Sequence, residues 1–114
     1  MPRRIQLSRQ KGWRKPEGTI SVARPTRWGN PFPIGGETTK VSENGTERVD
    51  IPDRETAVGL FRSMMFDGGV RFPTADDYPR DEIESLRGHD LACWCPLGGP
   101  CHADVLLELA NASR

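Results

Sequence analysis

The sequence predicts a small α/β fold: a single compact domain over residues 1–114, with a parallel or mixed sheet flanked by about three helices and carrying a polar β-hairpin. Three observations carry this reading. Two short stretches near the start alternate apolar and polar residues, a compact apolar run lies between Asp90 and Pro96, and two segments repeat apolar residues at helical spacing. A chain of 114 residues has the length of one domain and can bury a core of its own.

Residues 3–8 place Ile5 and Leu7 on one face and predict a strand. Residues 10–18 are polar, contain Gly12, Pro16 and Gly18, and form a loop around Trp13. Residues 19–23 alternate again through Ile20 and Val22, and Pro25 ends that strand. Residues 27–33 hold Pro31 and Pro33, which exclude a helix interior and leave a shaped loop. Residues 37–50 predict an exposed hairpin, because Val41 and Val49 flank Glu43-Asn44-Gly45 and Asn-Gly is a strong turn signal. Asp53 is a candidate N-cap for a helix through Ala57, Val58, Leu60, Phe61, Met64 and Met65, stopped by Asp67-Gly68-Gly69. The two methionines read as core filler. A loop over 72–79 leads to a short helix over 80–87, with acids in its first turn and Arg87 at its end. The run 91–95 predicts a buried, central strand. A Gly/Pro loop over 96–100 then leads to a helix over 102–111, with Val105, Leu106 and Leu109 inward.

Composition narrows the function classes. Hydrophobic residues make up 35% of the chain and charged residues 28%, with a mean hydropathy of −0.61. No apolar run approaches the roughly 20 residues of a membrane span. The N-terminus shows no apolar leader, so a cytoplasmic protein, in a bacterium or a phage-infected host, is expected. The three cysteines are odd in number and all lie within 93–101, which argues against a disulfide framework. The formal net charge is zero, yet residues 1–28 carry eight basic side chains against one acid, and 29–114 carry the opposite excess of seven. Such a basic quarter, interleaved with Trp13 and Trp28, suits an anion; alternatively it pairs with the acidic remainder.

Two constellations stand out as candidate chemistry. Cys93, Cys95, Cys101 and His102 have the spacing C-x-C-x5-C-H on a strand end, a loop and a helix start. Three readings are open: the four side chains bind zinc; Cys101 is a thiolate at a helix N-terminus, assisted by His102 or Cys95; or the cysteines are small buried hydrophobes. Asp104 is expected to cap that helix or orient His102. In the second constellation, Arg24 and Arg27 offer phosphate forks, Trp28 a stacking face, Gly29 close backbone approach, and Asn30 donors and acceptors. The alternative is a rigid turn with Trp28 in the core and Asn30 bonding its own backbone.

The strings Ser8-x-x-x-Gly12-Trp13-Arg14, Arg24-Pro25-Thr26-Arg27-Trp28-Gly29-Asn30-Pro31-Phe32, Leu86-Arg87-Gly88-His89-Asp90-Leu91-Ala92-Cys93-Trp94-Cys95-Pro96 and Cys101-His102-Ala103-Asp104-Val105-Leu106 resemble the bacterial and phage family called domain of unknown function 4326. The resemblance runs from Ile5 to Ala110. It implies a source among actinobacteria or their phages and supplies no reaction. It picks out Arg24, Trp28, Gly29, Asn30, Pro31, Cys95, Cys101, His102 and Asp104 as matching the family pattern.

The expected function is therefore a small protein, whether enzyme or binder, that takes a nucleotide-like or other phosphorylated anion. Arg24, Arg27, Trp28, Gly29 and Asn30 would hold the ligand, and Cys101, His102 and Asn30 would act on it. The alternative is a non-catalytic module stabilised by zinc on Cys93, Cys95, Cys101 and His102, whose partner is nucleic acid or protein. No membrane partner is expected.

Overall fold

A computed structural model describes residues 2–112. It is α/β, with two sheets of three strands each. The strands are β1 (Arg4–Gln6), β2 (Ile20–Ser21), β3 (Glu37–Ser42), β4 (Gly45–Asp50), β5 (Val70–Arg71) and β6 (Leu91–Cys93). The α-helices are α1 (Arg54–Phe66) and α2 (His102–Ala110), and Pro73–Ala75 and Arg80–Leu86 form 3-10 turns. The chain divides into two compact units, Met1–Gly29 with Pro79–Arg114, and Asn30–Tyr78.

The first unit is built on β6. Leu91, Ala92 and Cys93 are all buried, as a strand covered on both faces requires. β6 pairs in parallel with β1 on one side (Ile5 opposite Ala92) and with β2 on the other (Ile20 opposite Leu91). The ladder continues past the assigned strands, with the Leu7 amide donating to the Cys93 carbonyl and the Val22 amide to the Ala92 carbonyl. The sheet thus combines a central strand with two short flanks, wholly parallel. Helix α2 buries Val105 and Leu106, and the Arg80–Leu86 segment buries Ile83 and Leu86. That segment, expected as a short helix over 80–87, is a helix over Arg80–Leu86 of the 3-10 type.

In the second unit, α1 is capped by Asp53, whose carboxylate accepts from the Thr56 amide at 2.8 Å. Ala57, Phe61 and Met64 form its buried stripe at i, i+4 and i+7. Phe61 meets Tyr78 edge-on, and Phe32 meets Phe72 likewise, each with ring centroids 5.2 Å apart. β3 lies between β4 and the two-residue β5, both antiparallel. β5 is too short to show an alternating pattern and falls outside the sequence expectations. The hairpin pairs Ser42 with Gly45, so Glu43 and Asn44 form the turn. Only Gly45, at φ 114°, takes a positive φ there. The turn therefore runs through Glu43-Asn44 at negative φ, and the positive φ falls on the paired glycine that follows rather than on Asn44 itself.

This geometry separates two neighbouring substitutions. Gly45→Ala is expected to cost about 1 kcal/mol or more, and Asn44→Ala less than about 0.5 kcal/mol. Urea denaturation of both variants checks this, and the reverse order would show the mirror-image turn.

Candidate metal centre

β6 ends at Cys93, and the chain bends through Trp94 so that Cys95 turns back beside it. The Sγ atoms of Cys93 and Cys95 are 3.6 Å apart. Residues 96–100 then return the chain to the first turn of α2, whose N-cap is Cys101. The sulfurs of Cys93, Cys95 and Cys101 all lie within 4.8 Å of one another. Cys93 and Cys101 are buried and Cys95 is half-buried. The cluster sits at the carboxyl end of a parallel sheet, where such sheets place their sites.

His102 flanks the cluster and is itself buried. Its Nε2 is 2.8 Å from the Val22 carbonyl and 3.1 Å from the Trp28 carbonyl. Both partners can only accept, so Nε2 carries its proton and donates. In the neutral ring the lone pair is then on Nδ1, which faces the Cys101 Sγ at 3.9 Å. A ring fixed through one nitrogen by backbone carbonyls has its other nitrogen, beside the Cys101 thiol, available as a metal ligand.

Charge on the thiols is shared unequally. A hydrogen bond from Cys101 holds Cys93 below the usual thiol range; His102 and the Cys95 amide add to this, while burial opposes it. The same hydrogen bond and burial push Cys101 up, against the Ala103 amide that points at its sulfur from 3.5 Å. The thiol–thiol contact that lowers one partner raises the other, so Cys93 and Cys101 ionise as a pair. The cluster thus favours at least one thiolate, the form that binds metal.

A residue absent from the sequence expectations holds this centre together. The Arg4 side chain is only 7% exposed. Its Nη2 donates to the carbonyls of Pro96, Leu97 and Gly99 at 3.0, 2.5 and 3.0 Å, and its Nη1 to Asp104 Oδ2 at 3.0 Å. One guanidinium therefore fixes the loop between Cys95 and Cys101 and ties it to the first turn of α2. Asp104 acts as the partner of Arg4, in place of the capping or histidine-orienting roles expected of it. A cation in β1, opposite Leu91 in the ladder, is the one signal that could have pointed to Arg4.

The residues of the Arg–Trp–Gly–Asn constellation are placed as follows. Trp28 is buried, and the Arg27 guanidinium lies 4.9 Å from its ring centroid while also pairing with Glu82 at 2.7 Å. Gly29 packs on Arg24 so closely that a Cβ there would sit 2.8 Å from Arg24 Cγ and 3.2 Å from its Cα. Asn30 Oδ1 accepts from the Phe32 amide and its Nδ2 donates to the Ala57 carbonyl, both within the second unit. These are contacts of a shaped turn. A cavity of about 410 Å³ in the second unit is lined by Gly35, Gly36, Glu37, Arg48, Asp50, Ile51 and Pro52, none of them a candidate site residue. Arg48 there is neutralised by Glu37 and Asp50.

With the geometry in view, comparison with known proteins adds one match. The family model described as Domain of unknown function (DUF4326) matches residues 5–112. No curated protein and no solved structure matches the chain.

The Arg4 clamp has a measurable consequence. Arg4→Ala leaves three loop carbonyls and a carboxylate without their donor and is expected to cost about 3 kcal/mol. Arg4→Lys should recover less than half of that, because one ammonium cannot span the set. Asp104→Asn should cost about 1 kcal/mol or less, its side chain being half-exposed. Chemical denaturation measures all three, and an Arg4→Ala variant within about 0.5 kcal/mol of the parent would remove the clamp from the account.

Proposed function

The chain belongs to the DUF4326 family, whose description carries no reaction, and from its geometry we propose that it is a metal-stabilised module in which Cys93, Cys95, Cys101 and His102 hold a structural zinc ion. The carrying observation is the convergence of three sulfurs within 4.8 Å of one another beside a histidine whose remote nitrogen is anchored on two carbonyls. In a tetrahedral centre with zinc–sulfur bonds of about 2.3 Å, neighbouring sulfurs stand about 3.8 Å apart. The Cys93–Cys95 separation of 3.6 Å fits that size, and His102 Nδ1, 3.9 Å from the Cys101 sulfur, would close to about 3.5 Å on a shared ion. Four protein ligands close the coordination sphere, which supports a structural role over a catalytic one. Such a centre joins the end of β6 to the start of α2 across a loop that has no regular structure.

A second reading keeps the centre reactive. An enzyme acting on a nucleotide-like or phosphorylated ligand would use Cys101 or its neighbour Cys93, with His102 as base and Arg24 and Arg27 toward the anion. The observation favouring it is the His102 Nδ1 facing the Cys101 sulfur at 3.9 Å, the placement of a base beside a thiol. Alkylation followed by mass spectrometry separates the two. Protection that vanishes on adding a chelator supports zinc; fast labelling of metal-free protein near neutral pH supports the reactive thiol.

The zinc reading makes its own predictions. The reduced, purified full chain should carry about one zinc per molecule, and each of Cys93→Ser, Cys95→Ser and Cys101→Ser should lose it. Cobalt(II) in its place should show sulfur-to-metal charge-transfer absorption, altered in His102→Gln. Zinc affinity should fall as pH drops, because protons compete for the thiolates and for Nδ1, and chelation should lower the melting temperature. Substoichiometric metal after growth with added zinc, with no thermal shift on adding zinc to the reduced protein, would overturn the assignment.

A further inference from the structure

We infer that Trp94 and the basic loop over residues 9–15 form a binding surface for single-stranded nucleic acid. This rests on the zinc reading only in that the metal centre holds the backbone on either side of Trp94.

Trp94 lies between the ligands Cys93 and Cys95, yet its side chain is 44% exposed, and Leu97 two residues beyond Cys95 is 59% exposed. A large indole held outward by two anchored neighbours is a rigid stacking platform, and little conformational freedom is lost when a base lands on it. The Leu7 amide bonds the Cys93 carbonyl at 2.9 Å, so the chain leaving β1 begins its loop beside the thiol centre. Arg9 follows and sets its guanidinium 4.8 Å from the Trp94 ring centroid. Arg9, Lys11, Arg14 and Lys15 are all exposed, and residues 9–15 contain no acid. Among the described residues none of these four cations is in an ion pair, whereas Arg4 and Arg27 are. The unit that holds them carries eleven basic and seven acidic side chains, a net charge of +4.

An exposed aromatic face with a cation stacked on it, continuing into an unneutralised basic loop, is complementary to a chain of bases joined by phosphates. The base would stack on Trp94 while Arg9 and the lysines meet neighbouring phosphates. A duplex fits less well, because its base faces are already stacked on one another. Nothing in the surface is arranged to read base edges or a ribose 2′-hydroxyl, so DNA and RNA single strands should bind alike.

The test is fluorescence anisotropy of the zinc-loaded full chain with labelled dT12, rU12 and a 12-base-pair duplex. The expected result is similar affinity for dT12 and rU12 and weaker binding of the duplex. A plot of log affinity against log salt should have a slope of about −2 to −3, from roughly −0.7 per phosphate contacted. Trp94→Ala should weaken dT12 binding about tenfold, and the double variant Lys11→Ala, Lys15→Ala should flatten the salt slope by about 1.4. Zinc content measured on the same samples keeps the two ideas apart. Stoichiometric zinc without oligonucleotide binding overturns the surface alone, and binding without zinc overturns the metal centre alone. Should Trp94→Ala lose its metal, Arg9→Glu on the exposed loop gives the same readout, with an expected loss of about tenfold. Unchanged affinity in Arg9→Glu, tighter binding of duplex, or a Trp94-dependent interaction with no salt dependence would each overturn the inference; the last would indicate an apolar protein contact.

Discussion

A guanidinium with almost no exposure to water must find acceptors on every side, and Arg4 finds them in three carbonyls of one loop and one carboxylate. The dependence runs both ways. The loop over 96–100 is short, rich in Gly and Pro, and has little backbone hydrogen bonding of its own, a single amide-to-carbonyl contact from Gly99 to Pro96. Its carbonyls would otherwise lack fixed directions. By gathering them, Arg4 sets the separation between Cys95 and Cys101, and so whether three thiols can meet. The strand that carries Arg4 is placed in turn by parallel pairing with β6, the same strand that carries Cys93. Scaffold and centre are therefore one construction, and neither can shift without the other.

His102 extends that construction to the turn over residues 24–29. Its Nε2 proton is shared between the carbonyls of Val22 and Trp28, which lie six residues apart on either side of the Arg24–Pro25 turn. A buried N–H bonded to two carbonyls satisfies polar backbone that would be costly to leave unpaired. It also explains why Trp28 is buried and Gly29 is pressed against Arg24: the turn is drawn in toward α2. Seen this way, the Arg–Trp–Gly string is a bracket for the histidine, and the features that suggested a ligand loop, a tryptophan and a close-approach glycine, serve the packing of that bracket.

The legible parts of the molecule were those in which side-chain identity alone determines the outcome. The apolar run at Leu91–Cys93 declared a buried central strand, Asp53 declared a helix cap, and the nearness of three cysteines and a histidine in sequence declared their nearness in space. The illegible parts depend on partners that sequence does not pair. Arg4 lies between 92 and 100 residues from the groups it binds. Val22 and Trp28 contribute carbonyls, and a carbonyl carries no residue identity to read. The hairpin was legible in position, but its turn type depended on which residue took the positive φ, and Glu43-Asn44-Gly45 permits two answers. β5 and the Pro73–Ala75 turn are too short for periodicity to register.

The strong basic bias of the first quarter of the chain divides into separate physical roles. Arg4 is a buried structural cation, and Arg27 is neutralised by Glu82 while covering Trp28. Arg24 is packed against Gly29. What is left is Arg3, just ahead of β1, and Arg9, Lys11, Arg14 and Lys15, which share one exposed loop because β1 ends where the ladder with β6 ends and the polar chain beyond it has nothing to pair with. A single sum of charges over residues 1–28 conceals this partition. The structural cations serve carbonyls, carboxylates and rings inside the fold, and the exposed ones share a loop whose Arg9 lies 4.8 Å from the ring centroid of the exposed Trp94.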